Sequence, residues 1–363
     1  MKQIVVCQVI AELGDGGVET MLLDVYRNID KEQFKFIFIV QNDTRKYESE
    51  IKDFGGEILQ IPPLKEIGVI KYIIQLKKIF KTEKVDVVHC HNLTQNPIIL
   101  FTAFISKIKI RVSHSHLTTC FSKKAKLMMP IIRFLINIFS TSKISCGTQA
   151  GRFLYGKSDF TVVHNAIDVD KFINAKYNNN LASIPYIHNN KIVLHVGRLS
   201  IQKNHEYIIK IAKQLKDENV IFICCGDGPR FEELRQLIKN EHLDDKLYLL
   251  GSRSDIHELM KVADVLILPS LYEGLPVTII EAQAANLNCI VSNQVDKDCD
   301  LELDLVNFLP INDNDVKKWA TLIINNIPHK NDNDRIRNRL KICGYDGKVN
   351  AKILSEIYRG IKK

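Results

Sequence analysis

Two glutamates, Glu273 and Glu281, stand eight residues apart in the stretch Ser270-Leu-Tyr-Glu-Gly-Leu-Pro-Val-Thr-Ile-Ile-Glu281. The first falls in a loop that contains glycine. The second falls inside a helix whose first turn is marked by Pro276. The apolar run Ala263-Asp-Val-Leu-Ile-Leu-Pro269 just ahead of them reads as a buried strand. Open parallel sheets bind ligands at the C-terminal ends of their strands. Carboxylates there accept from hydroxyls, and the amides that open a helix donate to phosphate. The pair therefore suits a ligand with many hydroxyls and a diphosphate, as a nucleotide sugar has. Isolated glutamates are ordinarily solvated surface groups, but Glu281 leads into Ala282, Ala284 and Ala285, a close-packing helix face.

A second constellation is His195-Val-Gly-Arg-Leu-Ser-Ile-Gln-Lys-Asn204. A strand ends at Gly197, and Arg198 and Lys203 follow in the loop before a helix. A guanidinium fork with a compact ammonium is a reasonable clamp for a diphosphate leaving group. Two solvated surface cations would be the plain alternative if the pair stood alone. Gly14-Asp-Gly-Gly-Val-Glu19 follows the first strand and opens a helix, so Gly16 and Gly17 could let backbone amides approach an anion. No full Gly-x-Gly-x-x-Gly is present, and turn geometry alone would also call for these glycines. Gly228, in Cys225-Gly-Asp-Gly-Pro229, is a donor-loop candidate beside the same alternative of a tight turn.

His89-Cys-His91 and His114-Ser-His116 lie at expected strand ends. Four histidines raise a metal site, but no carboxylate or cysteine completes an obvious ligand set. Hydrogen-bonding groups lining a cleft are the preferred reading, with no metal expected. Bare Asp-x-Asp triplets recur at Asp168, Asp296 and Asp313 and decide nothing.

Short β-branched runs alternate with helix-period segments along the chain, the α/β signature. Strands are expected at Ile4–Ile10, Phe36–Gln41, Ile58–Ile61, Val85–His89, Ile110–His114, Lys143–Cys146 and Thr161–His164, then Ile192–Val196, Val220–Cys225, Leu247–Leu250, Val265–Leu268 and Cys289–Ser292. Helices are expected at Val18–Asn28, Val69–Lys81 and His205–Lys216. The asparagine-rich stretch Asn174–Asn190 reads as a linker. The expected domains are 1–170, a linker at 171–190, 191–344, and a terminal helix at 345–363. At 363 residues, two domains suit the length.

A net charge of +8 points mildly to anionic partners, and 45% hydrophobic with 25% charged residues suits a soluble globular chain. The nine cysteines include no Cys-x-x-Cys pair, which suits reduced thiols in the cytoplasm. No apolar run reaches the roughly 18–20 residues a membrane span needs. In Ser122–Ser145, Lys123, Lys124, Lys126 and Arg133 accompany Met128, Met129, Ile131, Ile132, Phe134, Leu135, Ile136 and Phe139. That pattern fits a helix seated on a membrane surface and fits a core-facing helix equally.

Taken together, these residues resemble the retaining glycosyltransferases of family four. Gly16-Gly-Val-Glu-Thr20 is similar to that family's N-terminal Gly-Gly-Ala-Glu element, and Val163-His-Asn-Ala-Ile-Asp168 to its hinge element. Gly197 to Asn204 resembles its Gly-Arg-x4-Lys-Asn signature, and Glu273 to Glu281 its Glu-x7-Glu motif. The resemblance implies a GT-B fold: two Rossmann-like domains with a cleft between them and a C-terminal helix that crosses back to the first. It implies donor-diphosphate contacts from Arg198 and Lys203 and from Gly17 across the cleft. Glu273 would hold the transferred sugar, Gly274, Leu275, Pro276 and Val277 would line its subsite beside Gly197, and Glu281 would bind the ribose. His116 would be the cleft histidine, with His114 its rival.

The implied activity is transfer of a hexose-type sugar from a nucleoside diphosphate sugar, with UDP the expected nucleoside, to a lipid-linked surface glycan with retention. No cofactor, metal or nucleic acid is implied. The expected setting is the cytoplasm, with contact to the inner membrane face through 122–145. A nucleotide-sugar epimerase of the same fold and a non-catalytic nucleotide-sugar-binding protein are the alternatives. Ala166 stands where the family has a hinge glycine. Asn286 stands where glycine is common after the second glutamate, and it can hold a left-handed turn.

Overall fold

The computed structural model describes residues 3–14, 17–42, 47–117, 123–176, 190–273, 275–326 and 331–361. The chain divides into two compact units, Met1–Ile167 with Gly344–Lys363, and Asp168–Cys343. Each is built on a parallel sheet.

The first unit holds β1 (Ile4–Val9), β2 (Phe34–Val40), β3 (Glu57–Gln60), β4 (Val87–Cys90), β5 (Ile110–Ser115), β6 (Ser142–Ser145) and β7 (Thr161–Val162). Their order in the sheet is β3-β2-β1-β4-β5-β6-β7. Both faces of the sheet are covered, so its strands read as continuous apolar runs. On one face Val6, Val87, Val112 and Ile144 meet the helix Gly17–Asn28 and the terminal helix Gly347–Tyr358. On the other, Cys7, Val9, Val88 and Cys90 meet Tyr72, Leu76, Leu100, Ile132 and Ile136.

The terminal helix belongs to this unit. Its Asp346 cap accepts from the amides of Lys348 and Val349, and Leu354 and Tyr358 are fully buried. Ile167 N–H donates to Tyr345 C=O, and Asn350 Nδ2 donates to His164 C=O, tying the helix to the end of the first unit. Gly347 lets it pass close to Asp24, whose carboxylate a side-chain carbon at this position would strike.

The second unit holds β8 (Lys191–Val196), β9 (Val220–Cys225), β10 (Leu247–Leu249), β11 (Val265–Leu268), β12 (Cys289–Ser292) and β13 (Val306–Leu309), in the order β10-β9-β8-β11-β12-β13. Trp319 is fully buried in its core and satisfies its ring N–H on Pro310 C=O at 2.8 Å.

Several boundaries differ from expectation. The edge strand β13 was not anticipated, because Val306-Asn-Phe-Leu is short and pairs on one side only. The linker expected at 171–190 begins with a helix, Val169–Ile173, capped by Asp168 and packed on the helix Val277–Ala284. Residues 177–189 lie outside the described ones. Within 122–145 the apolar segment is a helix, Lys123–Phe139, broken at Ser140-Thr141, and the expected strand follows as β6 starting one residue early at Ser142. The helix expected from Val69 starts at Leu64 and is interrupted at Gly68, whose φ is +76°. Asn286 does adopt the left-handed turn, with φ +61°, and Ala166 is not among the positive-φ residues. Among the described residues no helix is long and apolar enough to cross a membrane.

Candidate functional site

In the second sheet, strand order runs outward in opposite directions from the neighbours β8 and β11. The loops after these two strands therefore open at a topological switch point. Three hydrogen bonds stitch them together. Leu271 N–H donates to Gln202 C=O (2.9 Å), Gln202 Nε2 to Tyr272 C=O (3.0 Å), and Asn204 Nδ2 to Pro269 C=O (3.1 Å). Asn204 does this from the left-handed region, φ +55°, which asparagine tolerates.

The stitched loops bring Lys203 Nζ within 2.6 Å of Glu273 Oε1, with both side chains largely buried at 14% and 11% exposure. Ser270 Oγ donates to the same carboxylate oxygen at 3.1 Å. Sequence reasoning gave Lys203 to a diphosphate and Glu273 to a sugar as separate tasks; the structure pairs them. Gly197 leaves the lysine stem its path, since a side-chain carbon there would come 2.9 Å from Lys203 Cε and press it aside. Arg198 is exposed, with no partner among the described residues. Gly228 is explained by packing: a side chain at this position would strike the backbone of Leu199.

Pro276 opens the helix Val277–Ala284, and no side chain caps its first turn. Leu275 and Val277 are half-buried beside it. Glu281 lies one helical turn further in, where burial pushes its carboxyl up to about 7 against the opposing pull of Lys171. Gly16 and Gly274 lie outside the described residues. Gly17 is the first residue of the helix Gly17–Asn28, and a side-chain carbon there would approach Asn165 Nδ2 to 3.3 Å.

Two histidines beside the Lys203 loop were passed over. His195 Nδ1 bonds Ile267 C=O at 3.0 Å, and its ring meets that of His205 edge-on at 4.8 Å. Burial, then the neighbouring imidazole, holds His195 well below its ordinary range. Burial takes His205 down to about 4. Both are neutral, so positive charge in these loops comes from Arg198 and Lys203. The signal for His195 was its place at the end of a strand.

The first unit gathers its four candidate histidines at the equivalent sheet edge. Gln8 pairs in register with His89, and β4 pairs in register with β5. Side chains two apart share a face, so the apolar rows Val6, Val87 and Val112 continue into Gln8, His89–His91 and His114–His116. His89 bonds Tyr358 Oη through Nδ1 (2.8 Å) and His114 through Nε2 (3.2 Å). His91 bonds His116 through Nδ1 (2.9 Å) and Gln8 Oε1 through Nε2 (3.0 Å).

His114 is fully enclosed, while His116 is partly exposed. Burial first, and the neighbouring rings second for three of them, keeps all four neutral; His89 and His116 are each lowered to about 3. Ligand atoms of His89, His91 and His114 lie within 4.8 Å of one another, close enough to consider a metal. These rings already bond one another, Gln8 and Tyr358, so an ion would have to displace those bonds. Gln8 and Tyr358 were missed, and Tyr358 is 269 residues from His89, beyond any local signal.

The enclosed ion pair predicts coupling. Lys203→Met and Glu273→Gln should each destabilise the protein by about 1–3 kcal/mol, and the double variant by less than their sum. Urea unfolding of the three proteins measures this, and strict additivity would count against the pair. Glu281 predicts a pH dependence. An unfolded glutamate ionises near 4.5 and the folded one near 7, so the stability this proton confers is full below 4.5 and lost as pH rises toward 7. Glu281→Gln should therefore stabilise by on the order of 1–3 kcal/mol above neutrality and by almost nothing in mild acid. Thermal melts at both ends of that window check the sign.

Comparison with known proteins gives this geometry a family. Residues 15–171 match the family described as Glycosyltransferase Family 4, and residues 178–350 match Glycosyl transferases group 1. The chain is 32% identical to the glycosyltransferase-family protein EpsF of Bacillus subtilis (strain 168), over 97% of this chain and 96% of that one. It is 29% identical to UDP-Gal:alpha-D-GlcNAc-diphosphoundecaprenol alpha-1,3-galactosyltransferase of Escherichia coli, with 90% of each covered. In fold it is similar to Anabaena HepE, solved in complex with UDP, with a TM-score of 0.74 at 17% identity over 99% of this chain and 100% of that one. The chain belongs to the family 4 glycosyltransferases, enzymes of the two-domain GT-B fold that transfer a sugar from a nucleotide-sugar donor.

Proposed function

We propose that this glycosyltransferase takes a hexose-type sugar from a UDP-sugar and adds it, with retention of configuration, to a lipid-diphosphate-linked glycan in surface-polysaccharide assembly. The observation behind this reading is the stitched pair of loops at the β8/β11 switch point, where Arg198, Lys203, Glu273 and the uncapped helix start lie on adjoining segments. The Escherichia coli relative, whose name specifies a UDP-linked donor and a diphosphoundecaprenol acceptor, supports the choice of substrates.

In this reading Arg198 and Lys203 take the charge of the departing diphosphate, so no metal is required. Glu273 receives hydroxyls of the transferred sugar while keeping Lys203 oriented. Leu275 to Val277, with Gly274 and Gly197, line the sugar and phosphate subsite. Glu281 receives the ribose hydroxyls, which ask only for an acceptor atom and so tolerate its raised pKa. In the second unit Gly228 contributes backbone beside Leu199; in the first, Gly17 opens a helix and His116 offers a ring nitrogen to a hydroxyl. Retention follows from attack on the face the diphosphate leaves, the diphosphate oxygen receiving the incoming hydroxyl's proton.

The first unit supplies a surface for the lipid. On the helix Lys123–Phe139, Met129, Ile132 and Ile136 enter the core, while Leu127, Ile131, Phe134 and Ile138 form a second, exposed stripe, with Leu127 81% exposed. The adjoining helices add exposed Ile70, Ile74 and Phe104. Lys77, Lys78, Lys107, Lys109 and Lys126 are exposed on the same segments. Apolar side chains among lysines suit an anionic inner-leaflet surface.

Purified protein given nucleoside diphosphate sugars and a lipid-diphosphate glycan should release UDP only when acceptor is present, with EDTA making no difference. The new linkage should keep the donor's anomeric configuration by NMR. Arg198→Ala/Lys203→Ala should lower kcat/KM by at least about a hundredfold. Epimerised donor formed without acceptor would overturn the transferase mechanism. Separately, Leu127→Asp/Phe134→Asp should abolish sedimentation with anionic phospholipid vesicles while leaving the melting temperature unchanged; undiminished vesicle binding would remove this helix from the membrane surface.

A further inference from the structure

We propose that Gln8 and Tyr358 are positioning residues. They join the four histidines of the first unit into one hydrogen-bonded circuit that holds all four rings in a single shared tautomer, leaving one donor and one acceptor for a hydroxyl-bearing substrate. The ligand in this proposal rests on the glycosyltransferase reading; the circuit itself does not.

The tautomers follow bond by bond. Gln8 Nε2 donates to Tyr358 Oη at 3.0 Å, and Gln8 Oε1 lies 3.0 Å from His91 Nε2, so His91 carries its proton on Nε2. His91 Nδ1 must then accept from His116 Nε2 at 2.9 Å, which leaves a lone pair on His116 Nδ1. On the other branch the Tyr358 hydroxyl, having accepted from Gln8, donates to His89 Nδ1 at 2.8 Å. His89 Nε2 then donates to His114 Nδ1 at 3.2 Å, which leaves an N–H on His114 Nε2.

Every ring is in the Nε2–H form. Turning the Gln8 amide over reverses each step, so that all four rings become Nδ1–H and the two ends exchange roles. Mixed states would set donor against donor or lone pair against lone pair somewhere in a buried path, which is costly.

The two ends coincide with two enclosed ring nitrogens, His114 Nε2 and His116 Nδ1, that have no partner among the described residues. Their rings lie 3.9 Å apart, centroid to centroid. One N–H beside one lone pair matches hydroxyls, which both accept and donate. An anion would face the lone pair, and a cation would face the N–H. Gln8 and Tyr358 are wholly buried, so water does not compete for the junction. The depressed basicity of all four rings removes the doubly protonated form that would break the circuit.

The test reads ring-nitrogen protonation in the full-length protein labelled with 15N-histidine, using long-range proton–nitrogen correlation without substrate. In the wild type, His89, His91, His114 and His116 should share one tautomer. In Gln8→Glu, read at alkaline pH where the new buried carboxyl is ionised, the carboxylate accepts from both neighbours. His91 and His116 should then be Nε2–H, and His89 and His114 should be Nδ1–H, a two-and-two split. Both ends then offer lone pairs, and kcat/KM should fall roughly tenfold, the loss of one hydrogen bond.

Tyr358→Phe is the second variant if Gln8→Glu does not fold. It cuts the junction, so the His89–His114 pair should populate both forms while His91 and His116 still match each other. Mixed tautomers in the wild type, a Gln8→Glu spectrum without the split, or stoichiometric divalent metal in the purified protein would overturn the circuit. Failure of the transferase reading would appear only in the rate and leave the spectra as expected.

Discussion

In-register pairing of parallel strands is the constraint on which both candidate sites depend. Because side chains alternate between faces, fixing Gln8 opposite His89 fixes which residues of β1, β4 and β5 share a face. Each row begins with valine packed on the terminal helix and ends with a polar group at the C-terminal edge of the sheet. A shift of one residue would bury the polar ends on the opposite face and leave the histidines scattered. The second sheet uses the same device with backbone loops in place of side-chain rows, and β8 and β11 aim two loops at each other.

Electrostatics then distinguishes the two sites. In the second unit the charge is mobile in principle but balanced in place. Lys203 is held by Glu273, Arg198 stands exposed, and the histidines nearby are neutral. In the first unit four titratable rings share a small volume, and burial strips all of them of charge. A site that meets a neutral, hydroxylated group has little use for a net charge. One that meets a diphosphate needs cations, and it also needs them kept oriented while the site is empty.

Much of this was legible in the sequence, because the informative signals were local. Apolar β-branched runs marked twelve of the thirteen strands among the described residues, and Glu273, Glu281, Arg198 and Lys203 stood out by type and spacing. Asn286 declared its left-handed turn because few side chains tolerate one. What escaped notice was non-local or weakly patterned. The edge strand β13 lacks a full apolar run. The Lys203–Glu273 contact joins residues seventy apart through loop hydrogen bonds that no spacing predicts. Tyr358 reads as one more apolar position of a terminal helix. The segment around Lys123–Phe139 could not be assigned to core or surface because it is apolar on two faces, one serving each.

The placement of the terminal helix bears on how the protein is made. The second unit is one uninterrupted stretch of chain, whereas the first lacks part of its core until the last helix is available. On a ribosome, residues of the first sheet emerge early, but the face of Val6, Val87 and Val112 waits without the terminal helix's share of its cover while all of 168–343 is synthesised. The domain encoded second can thus complete its fold first. Throughout that interval the part of the valine face that the terminal helix will bury stays open to a chaperone.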